Sequence, residues 1–126
     1  MVDDERVTLL EHAYRLFNGR KVEQLLELMT DDIEWPDVAN GVVLTDKEAI
    51  QRYWLGQFSV ADPRVEPIDF VPAGEDLIAV VDQRVLDLAG EVVVPSTTVL
   101  HRYTFAGGRV RRMRVFTTMA DATGAD

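Results

Sequence analysis

The chain has 126 residues, 47% of them hydrophobic and 28% charged, which suits one domain with its own core and excludes a disordered composition. Its 22 acidic residues against 13 basic ones give a formal charge of −9, arguing against general nucleic-acid binding and against an anionic membrane surface. With no cysteine, disulfides, thiol nucleophiles, Fe–S clusters and cysteine zinc sites are excluded.

Taken in chain order, the first segment places Asp3, Asp4 and Glu5 where acids favour a helix N-terminus, and where a signal peptide would be basic. Val7, Leu10, Ala13, Tyr14 and Phe17, widened by Leu9 and Leu16, recur at three- and four-residue spacing. That predicts an amphipathic helix of about 13 residues, with Asn18-Gly19 as a left-handed stop. Val22, Leu25, Leu26 and Met29 predict a shorter helix ending at Thr30-Asp31-Asp32. Ile33 to Asp37 alternates and breaks at Pro36, which forces Trp35 towards extended backbone and marks a strand edge or end. Thr45 and Glu48 form a capping box opening a third helix, with Ile50, Tyr53, Trp54 and Phe58 on one side and Asp62-Pro63 closing the region.

The remainder is strand-like: Val65–Val71, weakened by Pro67, then Leu77–Leu88, Glu91–Phe105 and Arg109–Thr118, with glycine-bearing turns between the long strands. Residues 121–126 are expected to fray. Helices first and strands afterwards predict an α+β fold, three helices packed on the concave face of a curved, mainly antiparallel sheet. A single domain over 1–126 is expected, with an ordered core over about 5–119. The longest apolar run, Leu77 to Val81, is far short of the ~20 residues that span a bilayer, so a soluble cytoplasmic domain is expected.

No strong metal signature exists, His12 and His101 lying on different predicted elements, and no phosphate loop or nucleophile elbow appears. Alternation places Thr97, Val99, His101, Tyr103 and Phe105 on one strand face, with Leu100 and Arg102 on the other. The first face is the more apolar, so His101 is expected to point towards the helices, as a hydrogen-bonded core residue or as a catalyst. Asp37 is either a solvated turn residue or a base: a carboxylate partly desolvated beside Trp35 suits proton abstraction near neutrality. Leu100, Phe116, Arg112 and Arg114 are assigned to the outer face and predict a homodimer interface. Arg102, Arg109, Arg111, Arg112 and Arg114 are expected to pair with acids on neighbouring strands or a partner subunit, or else to hold an anionic ligand.

The stretch "LMTDDIEWPD", the following "GVVLTDKEAI" and the terminal "YTFAGGRVRRMRVF" resemble the nuclear transport factor 2-like superfamily, most closely its SnoaL-like and ketosteroid-isomerase-like branch, over about residues 5–119. The resemblance implies a cone-shaped sheet wrapped around helices, an apolar pocket at its open end, and often a homodimer. It puts Asp37 at the isomerase's general-base position and His101 where that enzyme carries a protonated aspartate. The isomerase's oxyanion tyrosine falls on Ala13, one residue before Tyr14. Polyketide-cyclase relatives place an acidic catalyst near the position of His101.

The implied activity is cofactor-free and metal-free acid–base chemistry by an isomerase, cyclase, dehydratase or hydrolase acting on a small hydrophobic or cyclic substrate. Asp37, His101 and Tyr14 would be catalytic; Trp35, Tyr53, Trp54, Phe58, Val99, Tyr103, Met113 and Val115 would line the pocket. The alternative is a ligand-binding or dimerisation module of the same fold without turnover.

Overall fold

The structure is a computed structural model that describes residues 4–125; Asp3 and Asp126 lie outside them. In α1 (Asp4–Asn18) the predicted stripe buries Leu10 and Tyr14 while Glu11 and His12 stay exposed. The end of this helix departs from the expectation. Its left-handed residue is Arg20, at φ 62°, and the Gly19 and Lys21 amides close the turn on the Arg15 and Leu16 carbonyls. Arg20 can hold that backbone because its guanidinium lies 4.1 Å from the Phe58 ring centroid and binds Asp62 and the Phe17 and Pro63 carbonyls. The Asn18 amide is thereby free to clasp Val65, donating to its carbonyl at 2.7 Å and accepting from its N–H at 3.0 Å.

The second helix, α2 (Val22–Glu27), is shorter than its apolar spacing suggests. Thr30-Asp31-Asp32 do not end it; they belong to β1 (Met29–Asp37), drawn into the sheet as the Val110 amide bonds the Leu28 carbonyl. A further short strand, β2 (Val42–Leu44), pairs with the end of β1, Trp35 opposite Leu44. The cap of α3 (Lys47–Phe58) is Asp46, whose carboxylate accepts from the Ala49 amide at 2.7 Å. Glu48 turns instead towards Arg52, one helical turn on.

Four strands complete the sheet: β3 (Asp62–Ala73), β4 (Asp76–Leu86), β5 (Val92–Ala106) and β6 (Arg109–Phe116). A register shift between Pro67 and Asp69 lets β3 continue through its proline. Strand order is β2-β1-β6-β5-β4-β3, with β1 and β6 parallel and the other neighbours antiparallel. The expected α+β architecture holds, a curved unclosed sheet with the N-terminal helices on one face. Between them lies the main core, where Leu10, Ile50 and Trp54 meet Ile33, Ala79 and Val110. At 25 cal/mol per Å², burying one such side chain stabilises by roughly 1.5–3 kcal/mol.

The outer face differs most from expectation. A C-terminal helix, α4 (Met119–Gly124), covers Leu100 and Ile78 with the fully buried Ala122, so Leu100 is not an open dimer contact and the tail is not frayed up to Ala125. Two features fix it. Thr118 caps its start by accepting from the Asp121 amide, and Arg102 donates Nη1 to the Ala122 and Ala125 carbonyls at 2.8 and 2.9 Å. Arg102 also binds Asp76 at 2.8 Å, while Arg111 lies 3.4 Å from both Asp32 and Glu34. These arginines therefore pair with acids on neighbouring strands.

Candidate active site

Between the helices and the inner sheet face lies a cavity of about 220 Å³, room for roughly seven waters. Its wall is apolar apart from a few hydroxyl, amide and imidazole groups. α1 contributes Tyr14 and Phe17, α3 contributes Tyr53, Trp54 and Gln57, and the strands contribute Trp35, Gln83, His101, Tyr103, Met113 and Val115.

The polar centre is a chain of three side chains. Tyr103 donates its hydroxyl proton to the Tyr14 oxygen at 2.7 Å, and the Tyr14 hydroxyl lies 2.8 Å from Nδ1 of His101. The Tyr14 ring stacks near His101 and stands edge-on to Tyr103. Burial lowers the His101 pKa to about 4, so the imidazole is neutral at pH 7. Burial also raises both tyrosines, that of Tyr14 well above the ordinary value with Tyr103 adding to it, which keeps the phenols protonated. A proton donated along the chain then reaches Nδ1, and the imidazole carries its own proton on Nε2. Among the described residues that atom has no hydrogen-bond partner, and His101 forms part of the cavity wall.

Asp37 sits elsewhere. Only 6% exposed, it accepts from the Asn40 amide at 3.2 Å and from Asn40 Nδ2 at 2.7 Å, pinning the β1–β2 turn. Its neighbours Pro36 and Val38 line the cavity and Asp37 does not. Its charge still bears on the site: burial first, and the Asp37 carboxylate second, raise the pKa of Tyr53.

Of the other sequence candidates, Phe58 stands behind the wall, edge-on to Phe17, and Val99 packs against the core; neither lines the cavity. Gln57 and Gln83 are wall residues that the sequence reading missed. Gln57 lies one helical turn after Tyr53, and extending that helix face by four residues would have found it. Gln83 shares a face with Val81 on β4, but the bulged pairing of β4 with β5 hides the correspondence. Among the described residues no group of three or more His, Asp or Glu side chains could hold a metal ion, and no helix is long and apolar enough to cross a membrane.

A family model of the SnoaL-like domain matches residues 10–113. No curated protein matches the sequence. Among solved structures, the chain is similar to TerC crystallised with polyporic acid, at 20% identity and TM-score 0.76 over 92% of this chain and 93% of that one. It is similar to SalBIII, an epoxide hydrolase/cyclase-like enzyme of pyran ring formation in the polyether salinomycin, at 19% identity and TM-score 0.75 over 94% of each. It is also similar to RV0760c from Mycobacterium tuberculosis in complex with estradiol-17β-hemisuccinate, at 16% identity and TM-score 0.76 over 92% and 95%. At these identities the likeness shows the fold alone.

Proposed function

The chain belongs to the SnoaL-like domain family, and on that premise we propose that it is a small-molecule enzyme performing cofactor-free acid–base chemistry on a small cyclic carbonyl compound. The observation that carries this reading is the hydrogen-bonded chain from Tyr103 through Tyr14 to Nδ1 of His101, whose Nε2 has no partner among the described residues, in the wall of an apolar cavity. A substrate carbonyl accepts from the Nε2–H. When a proton leaves the adjacent carbon, charge develops on the carbonyl oxygen, and a neutral imidazole stabilises it by donation without surrendering its proton. The Tyr14 hydroxyl, donating to Nδ1, polarises the ring and strengthens Nε2–H as a donor. Asp37 is assigned as the base although its side chain stands outside the cavity lining: its neighbours Pro36 and Val38 form part of the wall and its charge is felt at Tyr53, so the carbon-bound proton passes to it through one bridging water. Polyporic acid and estradiol-17β-hemisuccinate, named with two structural neighbours, are ring compounds and support the substrate class.

A second reading, binding without turnover, is favoured by one observation: both Asp37 oxygens already accept from Asn40. Deuterium uptake by 2-tetralone in D₂O separates the two, because the activated carbons next to its carbonyl exchange whenever a base removes their protons. The enzyme reading expects the protein to accelerate exchange and Asp37→Asn to reduce that acceleration at least about a hundredfold. Binding of the ketone with no acceleration establishes the second reading in its place. No binding of small cyclic compounds at all refutes both.

A further inference from the structure

The cavity holds a second polar group that the chemistry at His101 does not use. Tyr53 and Gln57, one turn apart on α3, both line the wall, and Gln57 Nε2 donates to the Tyr53 hydroxyl at 3.1 Å. That bond uses one lone pair of the phenol oxygen and leaves its own O–H without an acceptor among the described residues. The Gln57 side-chain oxygen Oε1 likewise has no hydrogen-bond partner among the described residues. Neither residue is hydrogen-bonded to Tyr14, Tyr103 or His101, so the two polar groups are separate features of one apolar enclosure. Tyr53 is moreover held protonated, since burial and the nearby Asp37 charge both oppose its ionisation. Besides the second Gln57 Nε2–H, the Tyr53 O–H donor and the Gln57 Oε1 acceptor, presented by one helix, match a hydroxyl group, which can accept from Tyr53 and donate to Gln57 together. A carbonyl would satisfy the donor alone.

We propose that Tyr53 and Gln57 form a second subsite that selects ligands carrying an additional hydroxyl besides the oxygen held at His101. The proposal rests on the pocket reading above and sharpens its substrate class to cyclic compounds oxygenated at two separate positions. The selectivity follows from the cost of leaving paired polar groups facing an apolar ligand surface, which makes a site built for a hydroxyl reject the analogue lacking it.

Calorimetric titration with 2-naphthol and with naphthalene-2,6-diol tests it, using the wild type, Tyr53→Phe and Gln57→Leu, each checked for a cooperative unfolding transition. The wild type is expected to bind the diol at least about tenfold more tightly than the mono-alcohol, as one or two added hydrogen bonds imply. Both substitutions should collapse that ratio towards one. Binding of 2-naphthol with no preference for the diol overturns the subsite and leaves the pocket reading intact. A preference retained in both variants also overturns it. Failure of the wild type to bind either compound overturns the pocket reading, and the subsite with it.

Discussion

The Tyr14 hydroxyl and Nδ1 of His101 meet at 2.8 Å although 87 positions separate them in the chain. The bond joins α1 to the middle of the sheet in the cavity wall, and it fixes what the imidazole can do. A ring that accepts at Nδ1 and is too buried to ionise has one remaining function at Nε2, which is donation.

Stability should therefore depend on pH through His101 in a definite direction. Its pKa is about 4 in the fold against 6.5 when unfolded, so between these values the unfolded chain binds the extra proton. The stabilisation due to the neutral ring is complete above about pH 6.5 and is lost as pH falls towards 4. At about 1.4 kcal/mol per pH unit the loss approaches roughly 3 kcal/mol, an upper figure for a buried group. Urea unfolding at pH 7 and pH 4.5 should show the wild type losing more stability than His101→Gln, whose amide does not titrate. Equal losses would contradict the buried neutral imidazole.

The order of the hydroxyls predicts an order of mutational costs. Tyr14→Phe removes the central link and strands two buried groups, the Tyr103 hydroxyl and His101 Nδ1. Each unsatisfied group costs about 1–3 kcal/mol. Tyr103→Phe removes only the outer donor and leaves the Tyr14–His101 bond in place, so about 1 kcal/mol is expected. Equilibrium unfolding should rank Tyr14→Phe as the more damaging. The ¹⁵N shifts of His101 should also report a changed tautomer balance in that variant alone, which a purely packing role for Tyr14 would not produce.

The sequence exposed this polar chain unevenly. Alternation along β5 was enough to turn His101 and Tyr103 inward, because a strand facing a helix layer has a period of two and one face is plainly apolar. The stripe on α1 likewise brought Tyr14 to the core. Their mutual hydrogen bonds depend on the rotation and depth of α1 over the sheet, set by contacts such as the Asn18 clasp on Val65 that no local pattern encodes. β2 escaped notice because three residues carry no period. α4 escaped because the six residues Met-Ala-Asp-Ala-Thr-Gly are too few to show a helical period, and its end is held by Arg102, distant in sequence. Asp37 was picked out by its neighbours Trp35 and Pro36, yet its partner, Asn40, follows from the turn and not from the strand.

Arg102 provides a separate test on the outer face. Only 9% exposed, it joins the Asp76 carboxylate to two carbonyls at the end of α4. Arg102→Met keeps much of the side-chain volume but leaves Asp76 with Arg114 at 3.9 Å as its remaining cation and releases the helix end. Breaking a buried ion pair from one side costs about 3–5 kcal/mol. Amide hydrogen exchange over residues 119–125 should accelerate well beyond the global loss of stability, and newly bared Leu100 and Ile78 should promote self-association on sedimentation. Protection of that helix unchanged relative to the rest of the molecule would show that apolar contact through Ala122 holds it without the arginine.

At the β1–β2 turn the usual relation between burial and mutational cost should reverse. Asn40 is exposed and Asp37 is buried, yet Asn40 supplies both hydrogen bonds that the Asp37 oxygens receive. In Asp37→Asn the new amide oxygen still accepts one of those donors and no charge remains to be solvated, so the loss should stay under about 1 kcal/mol, a few degrees in the thermal midpoint. Asn40→Ala keeps the buried carboxylate while deleting its side-chain donor, and the exposed substitution should cost about 1–3 kcal/mol. Activity should run the other way. If Asp37 abstracts the proton, Asp37→Asn abolishes the acceleration of deuterium uptake, whereas Asn40→Ala retains a measurable part of it with a carboxylate that is present but less well ordered. Unfolding curves and exchange rates on the same three proteins decide the matter. Equal exchange in wild type and Asp37→Asn would remove the aspartate from the chemistry and leave it as the anchor of its turn.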